Sequence, residues 1–364
     1  MRAMKIFSHP DVEPIVVREL GMTMREFLLL GTAVTGHFQN KFVLTTNQDY
    51  GVVNISKDVS AVFFDRITCT IDELRDETRK QQSYGADWLY AWNPLESKPL
   101  VRVDRAHPDR VVCPLPEFLL RRTSLGVFYD LVKSAGFDSP FGDAFQVFIG
   151  DVIQEVCKPP RFTLLAEEPY YVGQNKFHGA DWILSDDSAH LFIEAKTKRL
   201  TLSARIKSEG TALDRDLTTI AAAVVQHYRN ICDALDEKTR WVPDGHPVYP
   251  LVLTLEDWFI FSPRITENLN QHVKRLLGEQ GISEQVLADM PYTIASAQDF
   301  EVLVQVIAGV GIQTVMAKRM ETQQWNWSLG PFLRDNFPEQ MKTAKGGLFV
   351  EDFKRLLPER PAGQ

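Results

Sequence analysis

The passage Gly179 to Lys196, GADWILSDDSAHLFIEAK, constrains the fold more than any other part of this chain. It reads as a strand, a tight turn and a second strand. Strand residues two apart point to the same face, so Glu194 and Lys196 share one. A two-residue turn at Asp187 and Ser188 sets the cross-strand pairs at 186:189, 184:191 and 181:194, and places Asp181 opposite Glu194. Its second strand, LFIEAK, sets four apolar or small residues around one carboxylate and one ammonium. Charges inside such a run face a desolvation cost of several kcal/mol unless they are paired or bound to a cation.

Directly opposed strand residues have Cβ atoms about 5 Å apart, and two uncompensated carboxylates at that spacing are destabilising. A divalent cation held between them removes the repulsion. The neighbouring Lys196 could then stabilise negative charge or help deprotonate a water. Asp181, Glu194 and Lys196 are thus the candidate catalytic set, with the chemistry of metal-assisted hydrolysis.

The elements around the hairpin fall into three regions: an α+β accessory region (1–135), a core (136–262), and a mostly helical C-terminal extension (263–364) that completes or flanks the core. In the first, helices are expected over Thr23 to Val34, Ile71 to Gln82 and Pro116 to Ser134, with short strands at Lys41 to Thr46 and Val101 to Val103. The core opens with a helix, Phe141 to Val156, halted by Lys158-Pro159-Pro160. A strand at Phe162 to Ala166 precedes the hairpin. A long helix follows it, Thr211 to Leu235, with apolar residues at 213, 217, 220, 224, 228, 231 and 235. Strands are expected at Val248 to Leu253 and Trp258 to Phe261. The order helix, three strands, helix, strand points to a three-layer α/β core with helices on both faces of a central sheet. The extension carries a helix at Ile265 to Leu277, a strand at Tyr292 to Ser296, and Trp325 and Trp327, read as packing residues.

On the opening helix, at 100° per residue, the apolar side chains Ala144, Phe145, Phe148, Ile149, Val152, Ile153 and Val156 cover an arc of roughly 180°. Glu155 falls within it and Gln146 just beyond its edge. Glu155 is then either a third acidic ligand reaching towards Asp181 and Glu194, directly or through water, or a glutamate near the helix end extending to solvent.

The residues Ala180-Asp181 and Glu194-Ala195-Lys196, after a helix and a strand, resemble the PD-(D/E)xK nuclease superfamily, the restriction-endonuclease-like fold, over about a third of the chain. The resemblance implies a mixed central sheet flanked by helices and a metal-dependent nuclease. Asp181 and Glu194 would bind Mg²⁺ (Mn²⁺ substituting), with the Ala195 carbonyl and Glu155 as further ligands. Lys196 would orient or activate the attacking water. Ala180 stands where the family's Pro is expected. Phe145-Gln146 stands where some members carry a Phe-Glu pair, so Gln146 is an accessory candidate. Gln226 and Tyr228 loosely match the Gln and Tyr of the exonuclease-like branch, with helix packing as the other reading. DNA is favoured over RNA as substrate because most relatives cut DNA. Restriction or antiphage defence, repair and mobile elements are the settings implied. A homodimer and a partner protein of such a system are both expectations. The rival reading is a non-catalytic nucleic-acid-binding or scaffold protein that keeps the fold.

Charge bears on partners. A net charge of −8 argues against a generally basic, nucleic-acid-coating surface. Yet Lys196, Lys198, Arg199, Arg205 and Lys207 lie within 12 residues that contain no acid, so the segment leaving the site is expected to contact phosphates. The four cysteines lie far apart and form no CxxC spacing, which points to neutral thiols. His178 and His190, which flank the hairpin, are read as surface polar residues. Gly309-Val310-Gly311 lacks the third glycine of a dinucleotide fingerprint. No apolar run is long enough to span a bilayer, and the N-terminus lacks the apolar core of a signal peptide. The chain is expected to be cytoplasmic.

Overall fold

A computed structural model describes residues 1–82, 92–199, 211–258, 262–321 and 327–356. It divides into two compact units: residues 1–144 with 349–364, and residues 145–348. The expected core and most of the C-terminal extension form one body, because a strand and helices from the extension belong to the same sheet layer system.

In the first unit, helices span Arg2–Phe7, Glu13–Leu20, Met24–Phe38, Lys57–Ile67 and Ile71–Gln81. Two of them begin with reciprocal capping boxes. Thr23 accepts from the Glu26 amide while Glu26 accepts from the Thr23 amide, and Thr70 and Glu73 repeat the pattern. The helix expected over Pro116 to Ser134 is broken into Pro116–Arg122, a 3-10 turn at Leu125–Val127 and Phe128–Leu131. The hydroxyls of Thr123 and Ser124 bond back to the carbonyls of Leu119 and Leu120, 2.9 and 2.8 Å, and compete with helical bonding there. Short ladders pair Leu44–Thr45 with Arg110–Val111 and Thr68–Thr70 with Leu100–Arg102.

The second unit is built on a five-stranded mixed sheet. Helix α1 (Asp138–Val156), within which the unit division falls, leads to strand β1 (Thr163–Ala166). A further hairpin, β2 (Pro169–Val172) and β3 (Asn175–His178), forms its own two-stranded ladder. Then come β4 (Trp182–Ser185), β5 (His190–Lys196), α2 (Thr211–Leu235), β6 (Val248–Thr254), α3 (Pro263–Glu279), β7 (Thr293–Ser296), α4 (Ala297–Val310) and α5 (Ile312–Arg319). The sheet order is β7-β6-β5-β4-β1. The β7/β6 and β6/β5 pairs are parallel; β5/β4 and β4/β1 are antiparallel. Of the strand expected at Trp258 to Phe261, Trp258 is buried irregular chain, and the rest lies outside the described residues, as does Trp325. Trp327 is 42% exposed.

β5 occupies the centre of the sheet, which is why LFIEAK is apolar on both faces. On one face, Phe192 and Ile183 pack with Ile231, Ala234, Trp241 and Val248. Further along α2, Leu217, Ile220, Val224 and Tyr228 join Val252 and the α3 residues Leu269, Val273 and Leu277. On the other face, the Trp182 indole lies against α1. Its Nε1 donates to the Gln146 carbonyl at 2.9 Å, and a Cβ on Gly150 would meet the ring at 2.3 Å. Helices therefore flank the sheet on both sides, a mixed α/β arrangement.

The turn that sets the hairpin register is itself anchored. Asp186 Oδ1 accepts from the Ser188 amide and hydroxyl and the Ala189 amide, while Oδ2 accepts from the Ile312 amide at the start of α5. Burial pushes this carboxyl up, and those four donors outweigh it and hold it below the usual range. Cysteine thiols are held neutral by burial, Cys157 pushed up to about 12 and Cys113 to about 11.

Candidate active site

Cross-strand register brings the predicted set together. β4 and β5 pair Trp182 with Ile193 and Ser185 with His190, and the turn closes with the Asp186 amide donating to the Ala189 carbonyl at 3.1 Å. Continued one residue beyond the ladder, this register sets Asp181 across from Glu194. The Ala195 amide donates to Asp181 Oδ2 at 2.6 Å, so the backbone of β5 fixes the Asp181 carboxylate. Lys196, two residues along the same face, brings its Nζ to 2.6 Å from Glu194 Oε1.

A third acid completes the row, and it is Glu167. β1 pairs Ala166 with Trp182, and the next rung is closed by the Glu167 amide donating to the Asp181 carbonyl at 2.9 Å. Glu167, one residue past β1, Asp181, one residue before β4, and Glu194 within β5 therefore form one cross-strand row. Gln146 Nε2 donates to Glu167 Oε2 at 3.0 Å, and His178 Nδ1 lies 2.7 Å from Oε1. Gln146 is thus tied to the site through Glu167, and His178 is a neighbour of the site and not an isolated surface group.

Glu155 is not part of this row. It is exposed near the end of α1, where the buried stripe runs through Phe148, Ile149, Val152 and Ile153 and on to the partly buried Val156. Glu155 sits at the edge of that stripe, and a wheel drawn without the neighbouring strands made the stripe too wide.

His227 on α2 also belongs to the site. Its Nε2 donates to the Phe192 carbonyl at 3.0 Å, and its Nδ1 faces Glu194 Oε2 at 3.6 Å, beyond hydrogen-bond length. Both residues are almost fully buried, and among the described residues neither Oε2 nor Nδ1 has a hydrogen-bond partner. The signal for it in the sequence was a histidine three residues after Val224 and four before Ile231, on the inward stripe of α2. Its neighbours do not join it. The Tyr228 hydroxyl donates to the Met290 carbonyl at 2.6 Å within the α2–α3 core, so Tyr228 is a packing residue. Gln226 is half-buried, and among the described residues no hydrogen bond ties it to the carboxylates.

The basic segment resolves differently from expectation. Lys198 is exposed. Arg199 is buried and pairs with Glu256 at 3.2 Å, because the chain turns inward beneath Trp258, whose Nε1 donates to the Lys198 carbonyl at 3.1 Å. Arg199 is therefore an internal cation, not a phosphate-facing one. Arg205 and Lys207 lie outside the described residues.

Electrostatics follow from this crowding. Burial and then the charge of Glu194 push the Asp181 carboxyl well up; the Ala195 amide and Lys196 oppose them without prevailing. For Glu194, burial also raises the value, but His227 and Lys196 outweigh it and bring it below the usual range. Lys196 is lowered by burial and raised more strongly by Glu194 and Asp181, so its amine stays charged. One ammonium thus faces three carboxylates. An excess of negative charge, a buried Glu194 oxygen without a hydrogen-bond partner among the described residues, and an all-oxygen acidic donor set together fit a hard divalent cation.

No protein-family model matches the sequence, and no curated protein matches it. Among solved structures, the small subunit of the heterodimeric restriction endonuclease R.BspD6I is similar over 60% of this chain and 97% of that one, at 12% identity and a TM-score of 0.29. Protein VC1899 from Vibrio cholerae is similar over 83% of this chain and 57% of its own, at 10% identity and a TM-score of 0.18.

Proposed function

We propose that the second unit is a PD-(D/E)xK-type, metal-dependent nuclease that hydrolyses phosphodiester bonds of nucleic acid, with DNA the favoured substrate. The observation that carries this reading is the row Glu167–Asp181–Glu194 with Lys196 beside it, running from the central strand β5 across the end of β4 to the edge strand β1 of a helix-flanked sheet. Asp181 and Glu194 would hold Mg²⁺ or Mn²⁺, with Glu167 replacing Glu155 as the third acidic candidate and the Ala195 carbonyl as a further oxygen. The ion would polarise the scissile phosphate and lower the pKa of a bound water. The chain's own residues do the rest. The Ala195 amide orients Asp181, and the His227 imidazole, fixed by the Phe192 carbonyl, lines the buried side of Glu194. Lys196, held as an ammonium by its acidic neighbours, stabilises the attacking hydroxide or the charge that develops on phosphate. That role replaces the alternative in which Lys196 takes a proton from water.

The Lys196–Glu194 ion pair favours one rival: a non-catalytic nucleic-acid-binding or scaffold protein in which the amine permanently neutralises the acid. Incubation of Lys196→Ala with plasmid and single-stranded DNA in Mg²⁺ separates the two. The nuclease reading expects cleavage by the parent chain and its loss, by roughly 10²–10³-fold, in a variant that still binds nucleic acid. Equal cleavage by both chains removes the mechanism. Binding without cleavage by the parent in Mg²⁺ and in Mn²⁺ supports the rival. Setting, whether defence, repair or mobile element, and assembly with a second copy or a partner protein remain part of the proposal.

A further inference from the structure

A second cluster of ligating side chains lies at the other end of β5. His190, the first residue of that strand, is 5% exposed at its side chain, and its Nε2 lies 2.8 Å from Asp244 Oδ1. His246 brings Nδ1 to 3.2 Å from Asp244 Oδ2. One ligand atom from each of the three lies within 4.8 Å of the others. Glu194 is four residues further along the strand, so the cluster is about 13 Å from the candidate active site.

The local backbone is built to make these groups converge. Gly245 adopts φ +87°, a left-handed conformation open to glycine, so Asp244 and His246 can turn towards the same point. The His246 amide donates to Asp244 Oδ1 at 3.0 Å, and the His190 amide donates to the Pro247 carbonyl at 2.9 Å, pinning the loop against the strand. The far nitrogen of His190, Nδ1, lies 2.7 Å from the hydroxyl of Ser185, its cross-strand partner. Trp241 packs edge-on against the ring at 5.0 Å. A buried imidazole whose second nitrogen is fixed by a hydrogen bond has the tautomer and orientation control typical of metal-bound histidines.

We propose that His190, Asp244 and His246 form a second metal site, one for a divalent transition metal of the zinc class. Two imidazoles and a carboxylate are borderline donors that favour Zn²⁺, Co²⁺ or Ni²⁺ over Mg²⁺. The half-exposed side chains of Asp244 and His246 leave the cluster open to solvent, so a fourth position belongs to water. Its effect is to tie the start of the central strand to the loop after α2. The inference does not rest on the nuclease reading, and either can fail alone.

The test is titration of the full chain with Co²⁺ or Zn²⁺ in excess Mg²⁺, which keeps hard-cation sites filled. Visible Co²⁺ absorption bands and competition by Zn²⁺ report the site. The expected result is one Co²⁺ per chain, with affinity lowered at least about tenfold in His246→Ala and in Asp244→Asn and unchanged in Asp181→Asn. Both substituted loop residues are half-exposed, so circular dichroism should show folded variants. Absence of Co²⁺ bands in the parent means the triad is only a hydrogen-bonded turn and overturns the proposal. Bands that persist in the His246→Ala, Asp244→Asn double variant, or that vanish in Asp181→Asn, overturn it as well.

Discussion

Replacing Asp181 with asparagine should stabilise the metal-free protein, although it removes a candidate catalytic group. Asparagine keeps an oxygen for the Ala195 amide and presents an NH₂ donor in place of a charge facing Glu194. Two unit charges about 5 Å apart repel by about 3 kcal/mol at an effective dielectric constant near 20, and the lost attraction to Lys196 offsets part of that gain. A net ~1–2 kcal/mol remains, about 2–8 °C in melting temperature for a unit of this size. The sign depends on pH. The folded state raises the Asp181 pKa, so the parent binds extra protons on folding and loses stability as pH climbs from the unfolded value, about 4, through the folded one. Asparagine does not titrate. The gain should therefore be near zero at pH 4 and largest at pH 8, read from urea unfolding in EDTA. Mg²⁺ should then stabilise the parent by about 2.7 kcal/mol at a hundredfold excess over Kd, and the variant much less. A variant less stable than the parent at pH 8 in EDTA, or a gain that ignores pH, would refute the reasoning.

Glu167→Gln should cut Mg²⁺-dependent cleavage by tenfold or more while leaving the fold intact, since glutamine can still meet Gln146 and His178; unchanged kinetics would return the third acidic position to an open question. Gly150→Ala forces a methyl against the Trp182 ring and should cost about 1–3 kcal/mol in urea unfolding. Tyr228→Phe loses the bond to the Met290 carbonyl and should cost about 1 kcal/mol with no change in cleavage rate, whereas a loss of cleavage would restore Tyr228 to the site.

The hairpin was legible because a period of two and a short turn leave one register that keeps Phe192 and Ile183 inward. α2 was legible for the same kind of reason, since its apolar spacing matches one buried stripe from Leu213 to Ile231, with only the terminal Leu235 exposed. Glu167 was not, because its place depends on the pairing of β1 with β4, a contact between segments about 15 residues apart that periodicity does not encode. The adjacent Glu167-Glu168 pair, immediately after a strand, was the available signal. Glu155 shows the opposite error: a helical wheel fixes direction but not which edge of the stripe the strands cover. His190 was read as a surface group because its burial is created by the distant loop carrying Trp241 and Asp244. Arg199 was read as solvent-facing because its counter-charge, Glu256, comes from after β6.

The central claim is that acids in one cross-strand row, one within and two at the ends of neighbouring strands, and one lysine form a hydrolytic metal centre. Its most direct measurement is cleavage of supercoiled plasmid and single-stranded DNA by the full chain in Mg²⁺ or Mn²⁺, beside the same reactions in EDTA and with Glu194→Gln. The account predicts cleavage that needs the metal and is abolished by both EDTA and the substitution. Cleavage that continues in EDTA, or at the parent rate in Glu194→Gln, would contradict it.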